Sequence, residues 1–229
     1  MGNCNKKLDA GLISAYDGIR WGLKPSEKPV LEFFKKYLSQ KFNVRDEVSI
    51  GVAGDGFVDL KLAYNLKKAL KNNYSSKVSV DSILVNRHGK CCDYADFIVG
   101  NLADLGEKVR SEGYDIFICD VDNTVVKSYV PKENGCIKNE SKFDRFGRLL
   151  FVRLGFLLFT ASDTFLSGLG FHPRVPYCKS EDSLDCLLDS INETGSFLIF
   201  NSSANPFSIK KAICNNSNYG FNFLYNSFI

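Results

Sequence analysis

A chain of 229 residues with 45% hydrophobic residues, 24% charged residues and a formal net charge of +3 has the composition of a folded globular protein with one substantial core. Its 18 glycines and 6 prolines exclude collagen-like and structureless chains. The longest apolar run, Leu154 to Ala161, is broken by Gly155 and falls far short of the ~20 residues of a membrane span. The charge is too small to argue by itself for a nucleic-acid partner.

The start, Met1-Gly2-Asn3-Cys4-Asn5-Lys6, lacks the apolar centre of a signal peptide, which predicts a cytoplasmic, reducing environment. The eight cysteines contain no C-x-x-C pair, and only His88 and His172 could complete a zinc set, so free buried thiols are expected.

The elements are read in chain order. Ser26 caps a helix with Lys28 and Pro29 in its first turn and Val30, Phe33, Phe34, Tyr37 and Leu38 on one face. This makes residues 1–46 an N-terminal helical segment ahead of a core over 47–229, all within one domain. Glu47 to Ala53 reads as a buried strand running into Gly54-Asp55-Gly56. Val58, Leu62, Leu66 and Ala69 then share a helical face. Lys77 to Asp81 is a short strand ending in an acid, and Phe97-Ile98-Val99 is a third strand, ending in Gly100-Asn101. Leu102, Leu105 and Val109 form a helix closed by Gly113. Asp115 to Cys119 is an apolar strand that runs into Asp120-Val121-Asp122-Asn123. A helix over Phe143 to Leu154, a strand over Phe156 to Thr160, a strand near Arg174 to Cys178, a short helix over Leu184 to Leu188, a strand over Ser196 to Phe200 and a closing strand over Phe221 to Tyr225 complete the pattern. Strands alternating with helices predict a doubly wound, Rossmann-like α/β fold with a mostly parallel sheet. The last strand is expected to be antiparallel.

In such a sheet the ligand lies outside the carboxyl ends of the strands. Gly51, Gly54 and Gly56 lie in or beside a turn where backbone can approach a ligand, and Asp55 stands between the last two. The spacing fits neither the P-loop nor, cleanly, the dinucleotide fingerprint. Asp81, at its strand end, is a candidate for ribose hydroxyls and Asn101 for an adenine edge, and Asp120, followed by Val121, ends the fourth strand as a further ligand-binding candidate. The alternative is that the glycines only turn the chain and the polar residues only cap helices.

Taken together, Val48 to Gly54, Val80-Asp81-Ser82, Val99-Gly100-Asn101, Asp115 to Asp120 and Ser196 to Ile199 resemble, in order and approximate spacing, segments of the nidovirus, coronavirus-like RNA cap 2′-O-methyltransferases of the class I superfamily. The resemblance covers about Lys28 to Asn201. It implies S-adenosylmethionine as cofactor, capped RNA as substrate, a viral nonstructural protein acting in the host cytoplasm, and a small viral activator protein as partner. It also implies a Lys-Asp-Lys-Glu tetrad, in which a lysine of lowered pKa takes the proton of a poorly nucleophilic hydroxyl. Lys28 matches the first lysine, Asp120 the aspartate and Glu193 approximates the glutamate. Thr160 stands where the second lysine is expected. A threonine hydroxyl carries no positive charge and is a weak base, so turnover is expected to be impaired unless Lys127 or Lys179 enters the site. Mg²⁺ is left open as a second cofactor, with no residues assigned.

Ile116 to Val126, centred on Asp120-Val121-Asp122-Asn123-Thr124, also resembles the first motif of haloacid-dehalogenase-type phosphatases, in which Asp120 would attack phosphorus and Asp122 would handle the leaving-group proton. The late strand Phe197 to Ser203 lacks the acidic pair that family uses for Mg²⁺, and three strands are read before Asp120 where the family has none. A third reading is a degenerate methyltransferase fold that binds RNA or protein without catalysis. Lys35, Lys36, Lys41, Lys67, Lys68 and Lys71 would then meet phosphates and Tyr129 would stack on a base.

Overall fold

Strands buried on both faces are what a parallel sheet between helical layers requires, and four runs of Val, Ile, Leu and Phe meet that demand. The computed structural model describes residues 6–14, 47–74, 77–85, 95–121, 124–125, 184–202, 209–210, 213–214 and 217–225. The strands are β1 (Lys6–Ser14), β2 (Val48–Gly54), β3 (Val78–Val85), β4 (Phe97–Val99), β5 (Ile116–Asp120), β6 (Phe197–Ser202) and β7 (Tyr219–Tyr225). They form a single sheet in the order β4-β3-β2-β5-β6-β1-β7, parallel throughout. Its helices among the described residues are α1 (Phe57–Tyr74), α2 (Leu102–Glu112) and α3 (Leu184–Thr194).

Alternation along each strand sends neighbouring side chains to opposite faces. Ile50 and Val52 of β2, Ile116 and Ile118 of β5 and Ile199 of β6 pack against Leu62, Ala63, Leu66 and Leu70 of α1. On the other face Phe117, Cys119, Leu198 and Phe200 meet Leu105 and Val109 of α2 and Leu187, Leu188 and Ile191 of α3. Each such side chain, fully buried, contributes roughly 1.5–3 kcal/mol. The two helices of that second face approach closely because Gly106 has no side chain; a Cβ there would lie 2.8 Å from Ser190 Oγ. Gly113 ends α2 in the left-handed region at φ 63°, its N–H donating to Val109 O at 2.9 Å.

Two acids placed just ahead of strands pin the register. Asp115 accepts from Ser49 N (3.0 Å) and Ser49 Oγ (3.2 Å), tying the start of β5 to β2. Asp96 accepts from Ser82 N (2.9 Å) and Ser82 Oγ (2.8 Å), tying β4 to β3.

Several expectations are corrected. The closing strand β7 is not antiparallel: Lys6 pairs with Tyr219 and Leu12 with Tyr225 in parallel register. A parallel return needs a connection of a dozen or more residues. Residues 203–216 are long enough, and Ile209 and Ile213 within them are fully buried. The N-terminal segment, expected to be helical, carries a strand: Leu8, Ala10 and Leu12 of β1 are buried between β6 and β7. Strand β3 does not end at Asp81 but runs to Val85, and α3 runs past Leu188 to Thr194. The helix expected from Ser26, the elements expected over 143–178, and Lys28, Asp122, Lys127, Tyr129, Thr160 and Lys179 lie outside the described residues. No helix of the described residues is long and apolar enough to cross a membrane. Of the cysteines among those residues Cys119 is buried as expected, whereas Cys186 and Cys214 are exposed.

Candidate functional site

From β2 the chain proceeds outward to β3 and β4, and from β5 it proceeds the other way to β6. The order therefore reverses between β2 and β5, and a crevice opens at the carboxyl ends of strands at such a point. Ala53 is level with Cys119, which places Gly54 level with Asp120, and Asp120 is level with Asn201. Gly54, Asp120 and Asn201 thus stand side by side on β2, β5 and β6, on the face that packs against α1.

The space above Gly54 is filled from within the chain. A Cβ at this position would coincide with the carboxylate of Asp59, in the first turn of α1. Gly56 O accepts from Asp59 N (3.2 Å) and Leu60 N (3.4 Å), opening the helix. Exposed N–H groups and the helix dipole favour an anion at such a terminus. Here the anion is Asp59, standing where a bound pyrophosphate would otherwise be welcomed. The expectation that Gly54 leaves room for a ligand is corrected accordingly: the glycine makes room for Asp59. Gly51 serves the opposite face, where a Cβ would lie 2.8 Å from the Phe117 ring and 2.9 Å from that of Tyr114. Asp55 and Gly56 remain at the carboxyl edge, both half-buried.

Asp120 ends β5 half-buried, and its Oδ2 accepts from the Thr124 hydroxyl at 3.1 Å. Val125 N donates to Val121 O at 3.2 Å, and both valines are buried. Val121 N donates to Asn201 O at 3.0 Å, which locks the exit of β5 to β6. Asn201 is only 5% exposed, and among the described residues its side-chain Oδ1 has no hydrogen-bond partner. Leaving such an acceptor unmade costs about 1–3 kcal/mol.

The remaining candidates fall elsewhere. Asp81 sits in mid-strand, level with Gly51 and on the face opposite α1, where it accepts from the Tyr114 hydroxyl at 3.1 Å. It therefore does not reach the carboxyl edge. Burial, then the Asp81 charge, push the Tyr114 hydroxyl far above its usual pKa, so it stays a donor. Asn101 follows β4 at the carboxyl edge, but its Oδ1 accepts from Asp104 N at 2.8 Å as the N-cap of α2, while Asp104 accepts from Gly100 N at 3.1 Å. Glu193 is the largest departure. It lies near the end of α3, ahead of β6, and accepts from Arg110 Nε at 2.7 Å. That is the amino edge, about 20 Å from Asp120 along the strand at ~3.3 Å per residue.

The structure thus brings together Gly54, Asp55, Gly56, Asp120 and Val121, and separates them from Asp81 and Glu193. Asp59 and Asn201 were missed by the sequence reading. Asn201 did carry a signal, since it ends an apolar run, Phe197 to Phe200, in the same way that Asp120 ends its own. Among the described residues no three of His, Cys, Asp and Glu converge as a metal site, so no residues are assigned to Mg²⁺.

Compared with models of known families, with characterised proteins and with solved structures, the chain matches none.

Proposed function

We propose that the crevice between β2 and β5 binds S-adenosylmethionine and that the domain transfers its methyl group to the ribose 2′-oxygen of capped RNA. The observation that carries this reading is the pair of carboxylates, Asp59 over Gly54 and Asp120 beside it, at the point where the strand order reverses. A cationic ligand without phosphates suits two carboxylates, whereas the pyrophosphate of a dinucleotide would meet Asp59 with like charge. When bound, S-adenosylmethionine supplies an electrophilic methyl group. Asp55, Gly56, Asp120 and Val121 hold it in this reading, with Asp59 seated over Gly54, and Asn101 lies on the same edge of the sheet.

The catalytic pair in this reading is Lys28, which takes the proton of the target hydroxyl, and Asp120, which holds that lysine. Glu193 has no part in it. The viral origin, the host-cytoplasm setting and a small activator protein belong to the same proposal. Titration calorimetry with S-adenosylmethionine and S-adenosylhomocysteine is the test: both bind the wild-type chain, NAD does not, and Asp120→Asn weakens S-adenosylmethionine more than its product, which lacks the sulfonium charge. Absence of binding by either compound would sink the proposal.

A second reading is favoured by one contact. The Thr124 hydroxyl donates to Asp120 Oδ2 and orients one carboxylate oxygen, as suits an aspartyl nucleophile. Among the described residues four strands, β1 to β4, precede Asp120, which weighs against it. Hydrolysis of p-nitrophenyl phosphate with Mg²⁺, abolished by Asp120→Asn, would establish the phosphatase instead.

A further inference from the structure

We propose that Asn201 Oδ1 is the contact that holds the hydroxyl of the methyl-accepting ribose; this rests on the methyl-transfer reading above. Asn201 is level with Asp120 on the adjacent strand and faces the same side of the sheet as Gly54. With the methyl donor over β2 and β5, Asn201 lies one strand spacing beyond, about 4.8 Å. The group that must occupy that place is the one that receives the methyl, since reacting atoms meet at about 3–3.5 Å.

The chemistry of the residue narrows the ligand further. An amide oxygen accepts hydrogen bonds and bears no charge. Asp59 and Asp120 already supply two carboxylates to the row, so a phosphate oxygen at Asn201 would meet like charge and, in an amide oxygen, an acceptor where it needs a donor. A hydroxyl brings one donor and no charge. Before reaction its O–H rests on Asn201 Oδ1 and its oxygen faces the neighbouring strand, where the donor lies; in the transfer step the proton passes to the lysine of the reading above as the oxygen takes the methyl. Asn201 fixes this orientation and takes no proton, because an amide oxygen is not basic enough. A buried acceptor left without a partner in the ligand-free chain is the expected mark of such a contact: 5% exposure with Oδ1 unpartnered among the described residues.

The test compares capped RNA carrying a 2′-hydroxyl at its first nucleotide with the 2′-deoxy form, titrated into the full chain saturated with S-adenosylhomocysteine. Wild-type protein is expected to prefer the hydroxyl form about fivefold to tenfold, the worth of one neutral hydrogen bond. Asn201→Leu is expected to bind the two forms equally, to keep its S-adenosylhomocysteine affinity, and to melt a few degrees higher because a buried unpaired acceptor is gone. Absence of any preference in the wild-type protein would overturn the proposal. So would a preserved preference in the variant, or a variant that melts lower or fails to fold, which would show Oδ1 to be satisfied already. Failure of S-adenosylhomocysteine to bind at all would remove the methyl-transfer reading and this proposal with it. Binding of S-adenosylhomocysteine without hydroxyl preference would remove this proposal alone.

Discussion

The two ends of the sheet treat their acids differently. Towards the amino end Asp115 is committed to Ser49, Glu193 to Arg110, and Asp189 to both Lys6 and Tyr219, each on another element. At the carboxyl end Asp59 lies over bare backbone at Gly54, Asp120 takes a hydroxyl from its own turn, and Asn201 keeps a buried oxygen unmatched. Long-range pairs of the first kind hold strands in register. At the second end the buried oxygen of Asn201, without a partner among the described residues, is hydrogen-bonding capacity that a ligand can use.

If that contrast is sound, the largest effect should come from Asp120. Asp120→Asn is expected to lower methyl transfer by a factor of ~10²–10⁴ while shifting the urea unfolding midpoint little. A loss of folding equal to the loss of activity would erase the distinction between the two ends. Next in size is Gly54→Ala, expected to cost about 1–3 kcal/mol by overpacking against Asp59. The same substitution in an Asp59→Gly background should cost much less, a non-additivity that a double-mutant cycle reads directly. Equal costs in both backgrounds would show that Asp59 is not what fills the space.

Asp115→Ala probes the amino end. Losing its bonds to Ser49 should cost about 1–3 kcal/mol in denaturant unfolding, with S-adenosylhomocysteine affinity unchanged; weakened affinity would couple the two ends. Glu193→Gln should leave transfer within about twofold of wild type, because its partner Arg110 is a surface residue far from Asp120. A large drop in rate would restore Glu193 to the catalytic set.

The smallest effect concerns pH. Hydrogen bonds from Lys6, then from Tyr219, hold Asp189 below the usual carboxylate range. Burial, then Asp189, push Tyr219 up to about 12. A depressed acid stabilises the fold above its unfolded pKa, about 3.9, and that contribution fades as pH falls through the lower folded value. A raised tyrosine stabilises below its unfolded pKa of about 10 and loses that contribution as pH rises through about 12. Unfolding midpoints across pH should therefore fall at both extremes, and Asp189→Asn should flatten the acid limb.

How far the sequence could be read depended on whether the deciding contact was local. The run from Ile116 to Cys119 ending in Asp120, and the glycine turn after β2, are local patterns, and both stand where they were expected. Asp81 was misplaced because an acid inside a strand looks like its end; what tolerates it there is the Tyr114 hydroxyl, from a residue just ahead of β5. Glu193 was displaced for a similar reason, its partner Arg110 being supplied by α2. β1 was overlooked because Lys6, Lys7 and Asp9 mask an alternation of Leu8, Ala10 and Leu12 that its two flanking strands make meaningful. The direction of β7 has no local signature, since an antiparallel strand would show the same apolar residues.

The place of β1 has a consequence for how the chain is made. It lies between β6 and β7, so both of its edges are completed by segments from the far end of the sequence. At about 5–20 residues per second of synthesis, an emerging β1 waits roughly 10–40 s for Leu198 to pair with Ala10, and longer for β7. The strands from β2 to β5 can assemble in that interval, whereas the N-terminal strand is the last to be enclosed. Its early-made backbone groups stay open to chaperones, or to another nascent chain, until β6 and β7 have been made.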